Sequence, residues 1–208
     1  MFIGGLDKFS LIDYPEHLAA IVFTQGCNFR CHFCYNPMLV VPFSKREDND
    51  RLQDKAAYEV VRENGHSLIP EDDLFNFLKL RVGKWDGVVI SGGEPTLHHD
   101  LPEFIKKIKA LGYNVKLDSN GTNPEMLQKL IDENLIDYIA MDIKGPEENY
   151  EKVVGVEVDL NKIKESIKIV IGSSVRYEFR TTIVPGLQNN DDITTIDAMI
   201  WGAGKYLL

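Results

Sequence analysis

Leu18-Ala19-Ala20-Ile21-Val22-Phe23-Thr24 runs directly into Gln25-Gly26-Cys27-Asn28-Phe29-Arg30-Cys31-His32-Phe33-Cys34. The first part is a continuous apolar run, which marks a strand buried on both faces. The second part is a polar, glycine-led loop. The same pairing recurs along the chain. Residues 86–91 (DGVVIS) precede Gly92-Gly93, and 114–118 (NVKLD) precede Ser119-Asn120-Gly121. Residues 138–142 (YIAMD) lead to Lys144-Gly145-Pro146, 176–184 (RYEFRTTIV) lead to Pro185-Gly186, and 205–208 begin a sixth strand where the sequence ends.

Helical spacing fills the gaps. Leu101, Phe104, Ile105, Ile108 and Leu111 line one face of 100–111, and Met126, Leu127, Leu130 and Ile131 do so in 124–134. Segments 160–171 and 191–203 repeat the pattern. Strands alternating with helices of this length predict an α/β fold with a parallel sheet. About six βα units are too few for a complete eight-fold barrel, so the expected architecture is a partial, open (β/α)6 barrel. The expectation is one domain over 1–208, interrupted by a highly charged insertion at about 43–69 with a short helix near 52–62.

Composition narrows the function. The net charge of −9 and the lack of a dense basic run argue against nucleic acid. No apolar run approaches the ~20 residues that span a bilayer, and the N-terminal stretch lacks the features of a signal peptide. A cytosolic protein without membrane partners is expected.

All three cysteines lie within the loop after the first apolar run, spaced C-x3-C-x2-C. An odd number in one cluster is a poor disulfide framework. Thiolates at a strand end suit a soft metal centre. A structural zinc site wants four protein ligands, so a Cys3His site using His32, His66 or His98 is one reading. A [4Fe–4S] cluster held by Cys27, Cys31 and Cys34, with one iron left for an exogenous ligand, is the other.

The C-x3-C-x-aromatic-C pattern, with Phe33 as the aromatic, resembles the signature of the radical S-adenosylmethionine (SAM) superfamily. That resemblance implies that SAM chelates the open iron, with Phe33 and Tyr35 near the adenine; Tyr35 stands where activating enzymes often carry His. Ser91-Gly92-Gly93-Glu94-Pro95 resembles the superfamily's GGEP motif. It implies that the backbone at Gly92 and Gly93, with Glu94, meets the SAM amino group. Asp118, Asn120, Asp142, Lys144 and Arg180 fall at later strand ends, where ligands gather in parallel α/β folds. Asp118, Asp142 and Lys144 could fix the SAM ribose and carboxylate, or hold a monovalent cation, and Arg180 could pair with the SAM carboxylate as a bidentate fork.

Asp118 and the pair Asp142 and Lys144 match motifs of the glycyl-radical-enzyme activating enzymes, which implies that all three lie in the active site, with Asp118 and Lys144 catalytic. The opening Gly4-Gly5-Leu6-Asp7-Lys8-Phe9-Ser10-Leu11-Ile12-Asp13-Tyr14-Pro15 is similar to the start of anaerobic ribonucleoside-triphosphate reductase activating proteins. Gln25-Gly26-Cys27 and Cys34-Tyr35-Asn36-Pro37 also agree with pyruvate formate-lyase activating enzyme. Proteins of this group usually continue somewhat beyond the point where this sequence ends. The implied reaction is reductive cleavage of SAM to a 5′-deoxyadenosyl radical, which takes hydrogen from a glycine of a partner glycyl radical enzyme. A flavodoxin or ferredoxin would supply the electron. A radical SAM enzyme acting on a small molecule or another target, and a zinc or electron-transfer module, are the alternatives.

Overall fold

The structure is a computed structural model that describes residues 1–40 and 68–208. The helix expected near 52–62 and nearly all of the expected insertion lie outside the described residues. The strands are β1 (Ile3–Ser10), β2 (Ala19–Thr24), β3 (Gly87–Gly92), β4 (Asn114–Ser119), β5 (Tyr138–Asp142), β6 (Arg176–Arg180) and β7 (Tyr206–Leu207). They form one seven-stranded sheet in chain order. β1 is antiparallel to β2, whereas β2 with β3, β5 with β6 and β6 with β7 are parallel. The α/β class and the mostly parallel, sequentially ordered sheet agree with the expected β/α-barrel type. No helix among the described residues is long and apolar enough to cross a membrane.

The chain divides into two compact units. The first comprises Met1–Asn28 and Asn36–Lys116. Its core is built on Ala19, Ala20, Ile21 and Val22 of β2 and Val88, Val89 and Ile90 of β3, all buried. The register runs from Ala19 opposite Gly87 to Thr24 opposite Gly92, so both strands end together. Helices α1 (Glu71–Lys79) and α2 (Leu101–Ala110) belong to this unit. Pro102 opens α2, where its missing N–H costs nothing. Phe75 of α1 meets Phe104 of α2 edge-on, ring centroids 5.5 Å apart. Helices this short are marginal alone; burial of Leu74, Leu78, Ile105 and Ile108, about 2 kcal/mol each, holds them in place.

The second unit comprises Phe29–Tyr35 and Leu117–Leu208. It contains α3 (Pro124–Asp132), α4 (Tyr150–Val154), α5 (Leu160–Gly172) and α6 (Asn190–Met199). The Asn123 side chain accepts from Met126 N and caps α3, and Asp159 caps α5 through Asn161 N. β6 is shorter than the expected 176–184. Its ladders with β5 and β7 both finish at Arg180, opposite Asp142 and Leu207, so the later residues have no strand to pair with. β1, α1 and α4 were not anticipated.

Candidate active site

In the first unit the ends of β2 and β3 are joined backbone to backbone. Gly93 N donates to Thr24 O at 2.9 Å, and Glu94 N donates to Gly26 O at 2.8 Å. This contact requires residues without side chains. A Cβ on Gly93 would lie 1.8 Å from Gly26 O, and one on Gly92, whose φ is +112°, would lie 2.3 Å from Thr24 N. Cys27 follows immediately and is half-buried, outside any disulfide. The Glu94 carboxylate is 1% exposed. It accepts from Thr96 N and Thr96 Oγ1 at 3.1 and 2.5 Å, and so caps the short 3₁₀ turn Pro95–Leu97. His98 is buried, with Nε2 3.0 Å from Gln25 O.

In the second unit Arg30 N donates to Val154 O at 2.7 Å, and Cys34 N to Cys31 O at 3.1 Å. A Cβ on Gly155, with φ +73°, would stand 2.6 Å from Arg30 O, so the end of α4 must be glycine for this segment to lie against it. Phe29 is buried edge-on against Tyr150. The Tyr150 hydroxyl also accepts from Lys144 N at 3.4 Å. Cys31, Phe33 and Cys34 are half-buried, while His32 is exposed and Tyr35, 96% exposed, stands in solvent.

The same unit gathers the charged residues expected at the strand ends. Asp142 Oδ2 accepts from Lys144 Nζ at 2.9 Å, and Oδ1 accepts from Arg180 Nε at 2.9 Å. Arg180 NH2 stands 3.4 Å from Asp118 Oδ2. Asp142 and Arg180 are cross-strand partners in register, so the sheet itself sets this pair. Burial disfavours each charge, and the opposite charges overcome it. Lys144 and Arg180 hold Asp142 below the ordinary carboxylate range. Asp142 holds Lys144 above the usual lysine value, and Asp118 with Asp142 does the same for Arg180. Burial pushes the Cys31 thiol up, and Lys144 works against that rise. Asn120 is buried, its Oδ1 accepting from Thr122 N and Thr122 Oγ1.

Residues that motif reading passed over complete the frame. Gln188 donates from Nε2 to Lys144 O at 2.8 Å and accepts at Oε1 from Val184 N at 2.8 Å. Thr181 Oγ1 donates to Ile143 O at 2.8 Å. None of these carries a charge or a motif; only the proximity of Gln188 to the Pro185-Gly186 turn could have flagged it.

Among the described residues, no group of three or more His, Cys, Asp or Glu stands at metal-holding distance. The donor chemistry favours the cluster over zinc. Three cysteines outside any disulfide suit an iron–sulfur cluster. Of the histidines a zinc site would need, His98 has committed Nε2 to Gln25 O and His32 is exposed, while His66 lies outside the described residues.

Comparison with known proteins agrees with that chemistry. The family model described as the radical SAM superfamily matches residues 21–199. A Methanocaldococcus jannaschii protein provisionally named a glycyl-radical enzyme activating enzyme is 34% identical, over 99% of this chain and 78% of its own length. The pyruvate formate-lyase-activating enzyme of Listeria monocytogenes is 33% identical, over 68% of this chain and 52% of its own. The crystal structure of Streptococcus suis SuiB bound to S-adenosylmethionine superposes with a TM-score of 0.54. That likeness covers 83% of this chain and 35% of SuiB at 17% identity, and it speaks for the fold alone.

Proposed function

The chain belongs to the radical SAM superfamily, and from that premise we propose that it activates a glycyl radical enzyme. Membership makes it an oxidoreductase and implies a [4Fe–4S] cluster and SAM. When bound, these groups supply one electron and a 5′-deoxyadenosyl species able to take a hydrogen atom, here from a glycine of the partner protein. The partner would be of the anaerobic ribonucleotide reductase or pyruvate formate-lyase type, and a flavodoxin or ferredoxin the reductant. The similarity to the Methanocaldococcus and Listeria activating enzymes supports this reading.

The observation that carries it is the carboxylate of Asp142 held between Lys144 and Arg180. A metal or electron-transfer module has no use for such a network. An enzyme binding a zwitterionic sulfonium does. In this reading Cys27, Cys31 and Cys34 supply the three thiolates. The backbone at Gly92 and Gly93, with Glu94, lies along the methionine amino group. Phe33 and Tyr35 border the adenine. Lys144 and Arg180 present cations to the SAM carboxylate, with Arg180 acting as a planar fork. Asp118 and Asn120 take the ribose, and Asp142 fixes the two cations. A monovalent cation at Asp118 and Asp142 would compete with Lys144 and Arg180 for the same carboxylates.

The test is anaerobic reconstitution with iron and sulfide. A [4Fe–4S] chromophore and SAM cleavage on reduction are expected, and each of Cys27→Ala, Cys31→Ala and Cys34→Ala abolishes cleavage. Stoichiometric zinc without SAM cleavage overturns the reading. A glycyl-radical EPR signal on mixing with a glycyl radical enzyme from the same genome tests the partner. SAM cleavage with no such signal, and with turnover of a small molecule instead, removes the activase assignment.

A further inference from the structure

Gln25 stands immediately before the cysteine loop, 4% exposed, and three different segments meet it. Its backbone N donates to Phe2 O at 2.9 Å. Its carbonyl oxygen accepts from His98 Nε2 at 3.0 Å. Its side-chain Nε2 donates to Met38 O at 3.1 Å, and the next residue, Gly26, donates to Leu39 O at 2.7 Å. Met38 and Leu39 are where the chain resumes after the loop. The residues before Cys27 and the residues after Asn36 are therefore tied together by Gln25 and Gly26.

His98 braces this tie. A carbonyl oxygen can only accept, so Nε2 of His98 carries the proton. Burial lowers the ring's pKa to about 4, which keeps it neutral and in the donating form. His98 is itself set by the turn after β3, through its N–H to Pro95 O at 3.0 Å. Gln25 Oε1 is buried without a partner among the described residues, so the amide is held by its Met38 bond alone. Gly26, at φ +99°, has no side chain to limit rotation; the peptide after it is held by Glu94 N on Gly26 O, so the Gln25–Gly26 peptide before it is the one still to be fixed. Restraint must come from its neighbours.

We propose that Gln25 and His98 are positioning residues for the metal centre, a clasp that fixes the Gln25–Gly26 peptide ahead of Cys27 and ties it to the returning Met38 and Leu39. This rests on the reading of Cys27, Cys31 and Cys34 as cluster ligands. Residues that orient a metal ligand without touching the metal typically matter by about 10–100-fold in metal affinity.

The experiment uses the full chain, reconstituted anaerobically with ferrous iron and sulfide. It measures the rate of iron release to a colorimetric ferrous chelator, alongside the urea midpoint of the apoprotein. His98→Leu, which fills the space without a donor, and Gln25→Met, which keeps length but loses Nε2, each release iron about 10–100-fold faster. His98→Gln, which restores an N–H donor, stays close to the unmodified rate. The double variant falls short of the product of the single effects, because both act on one peptide. Unchanged release from folded His98→Leu and Gln25→Met overturns the proposal. So does a lowered apoprotein midpoint with unchanged release, the mark of a merely structural role. Should His98→Leu fail to fold, Gln25→Met decides alone, since it leaves the His98 bond intact. Failure of the unmodified chain to take up a cluster overturns the metal reading itself, whereas failure of the clasp shows only in the variants.

Discussion

His98 resists in the folded chain a proton that it accepts when unfolded. Its pKa falls from 6.5 to about 4, first because burial disfavours the charged ring. Below pH 6.5 the unfolded chain gains a proton that the folded chain does not, so stability declines down to about pH 4 and the loss then levels off. The full effect is about 3 kcal/mol. His98→Gln should flatten this part of the urea midpoint–pH profile; an unchanged slope between those limits would place the effect elsewhere. Asp142 has the opposite sign. Its depressed carboxyl contributes stability above the ordinary carboxylate range, and that contribution is lost as pH falls below it. Lys144→Met removes one of the two cations on Asp142 and is expected to weaken SAM binding about tenfold, as loss of a charged hydrogen bond does. Equilibrium dialysis on reconstituted protein of equal iron content checks it, and unaltered binding would remove Lys144 from the site. The sequence made the charged and thiol residues legible, because their chemistry is carried by type and spacing. The roles of Gln25, Tyr150 and Gln188 were not legible, Gln25 being visible only as part of a matching motif: each depends on the backbone group it meets in the fold.

At the scale of elements, buried parallel strands announce themselves as apolar runs, and β2, β3, β4 and β5 fall within a residue or so of their expected limits. β1 does not, since it is an antiparallel edge strand with Gly4, Gly5, Asp7 and Lys8 in it, half-buried at Gly5 and Leu6 and exposed from Asp7 to Phe9. The overextended reading of β6 has a similar cause: β propensity runs on to Val184, but pairing depends on neighbours that the local sequence does not describe. Two substitutions separate roles among these elements. Gly93→Ala forces a Cβ into Gly26 O and should cost on the order of 3 kcal/mol. Because it displaces the start of the cysteine loop, SAM cleavage per folded molecule should fall as well. Asn189→Ala removes the capping box of α6, in which Asn189 Oδ1 accepts from Asp191 N and Asp192 N while Asp192 accepts from Asn189 N. It should cost about 1 kcal/mol and leave cleavage per folded molecule unchanged. Comparable activity losses for the two would contradict the assignment.

For the whole molecule, strands laid down in chain order mean that each new βα unit can dock on the one before it. Parallel pairing joins residues far apart in sequence, as Ala19 with Gly87, and is slow to form, but it is made by protein atoms alone. The apoprotein is accordingly expected to show the far-UV circular dichroism of the reconstituted protein; a large gain of helix signal on iron uptake would mean that metal and fold are acquired together, as in small metal-dependent domains. With the cluster held as proposed, the backbone seam between β2 and the glycine turn bears on its recovery from oxygen. Thr24 and Gly26 are held by Gly93 and Glu94 through protein atoms alone, and Arg30 by Val154 in the same manner. The ordering entropy of those residues, about 1–2 kcal/mol each, is therefore met during folding and not again at each refilling. A chain stripped of iron by oxygen should regain its cluster at a rate set by iron and sulfide supply, which makes oxidative damage at this centre a repairable event and spares the cell a new round of synthesis.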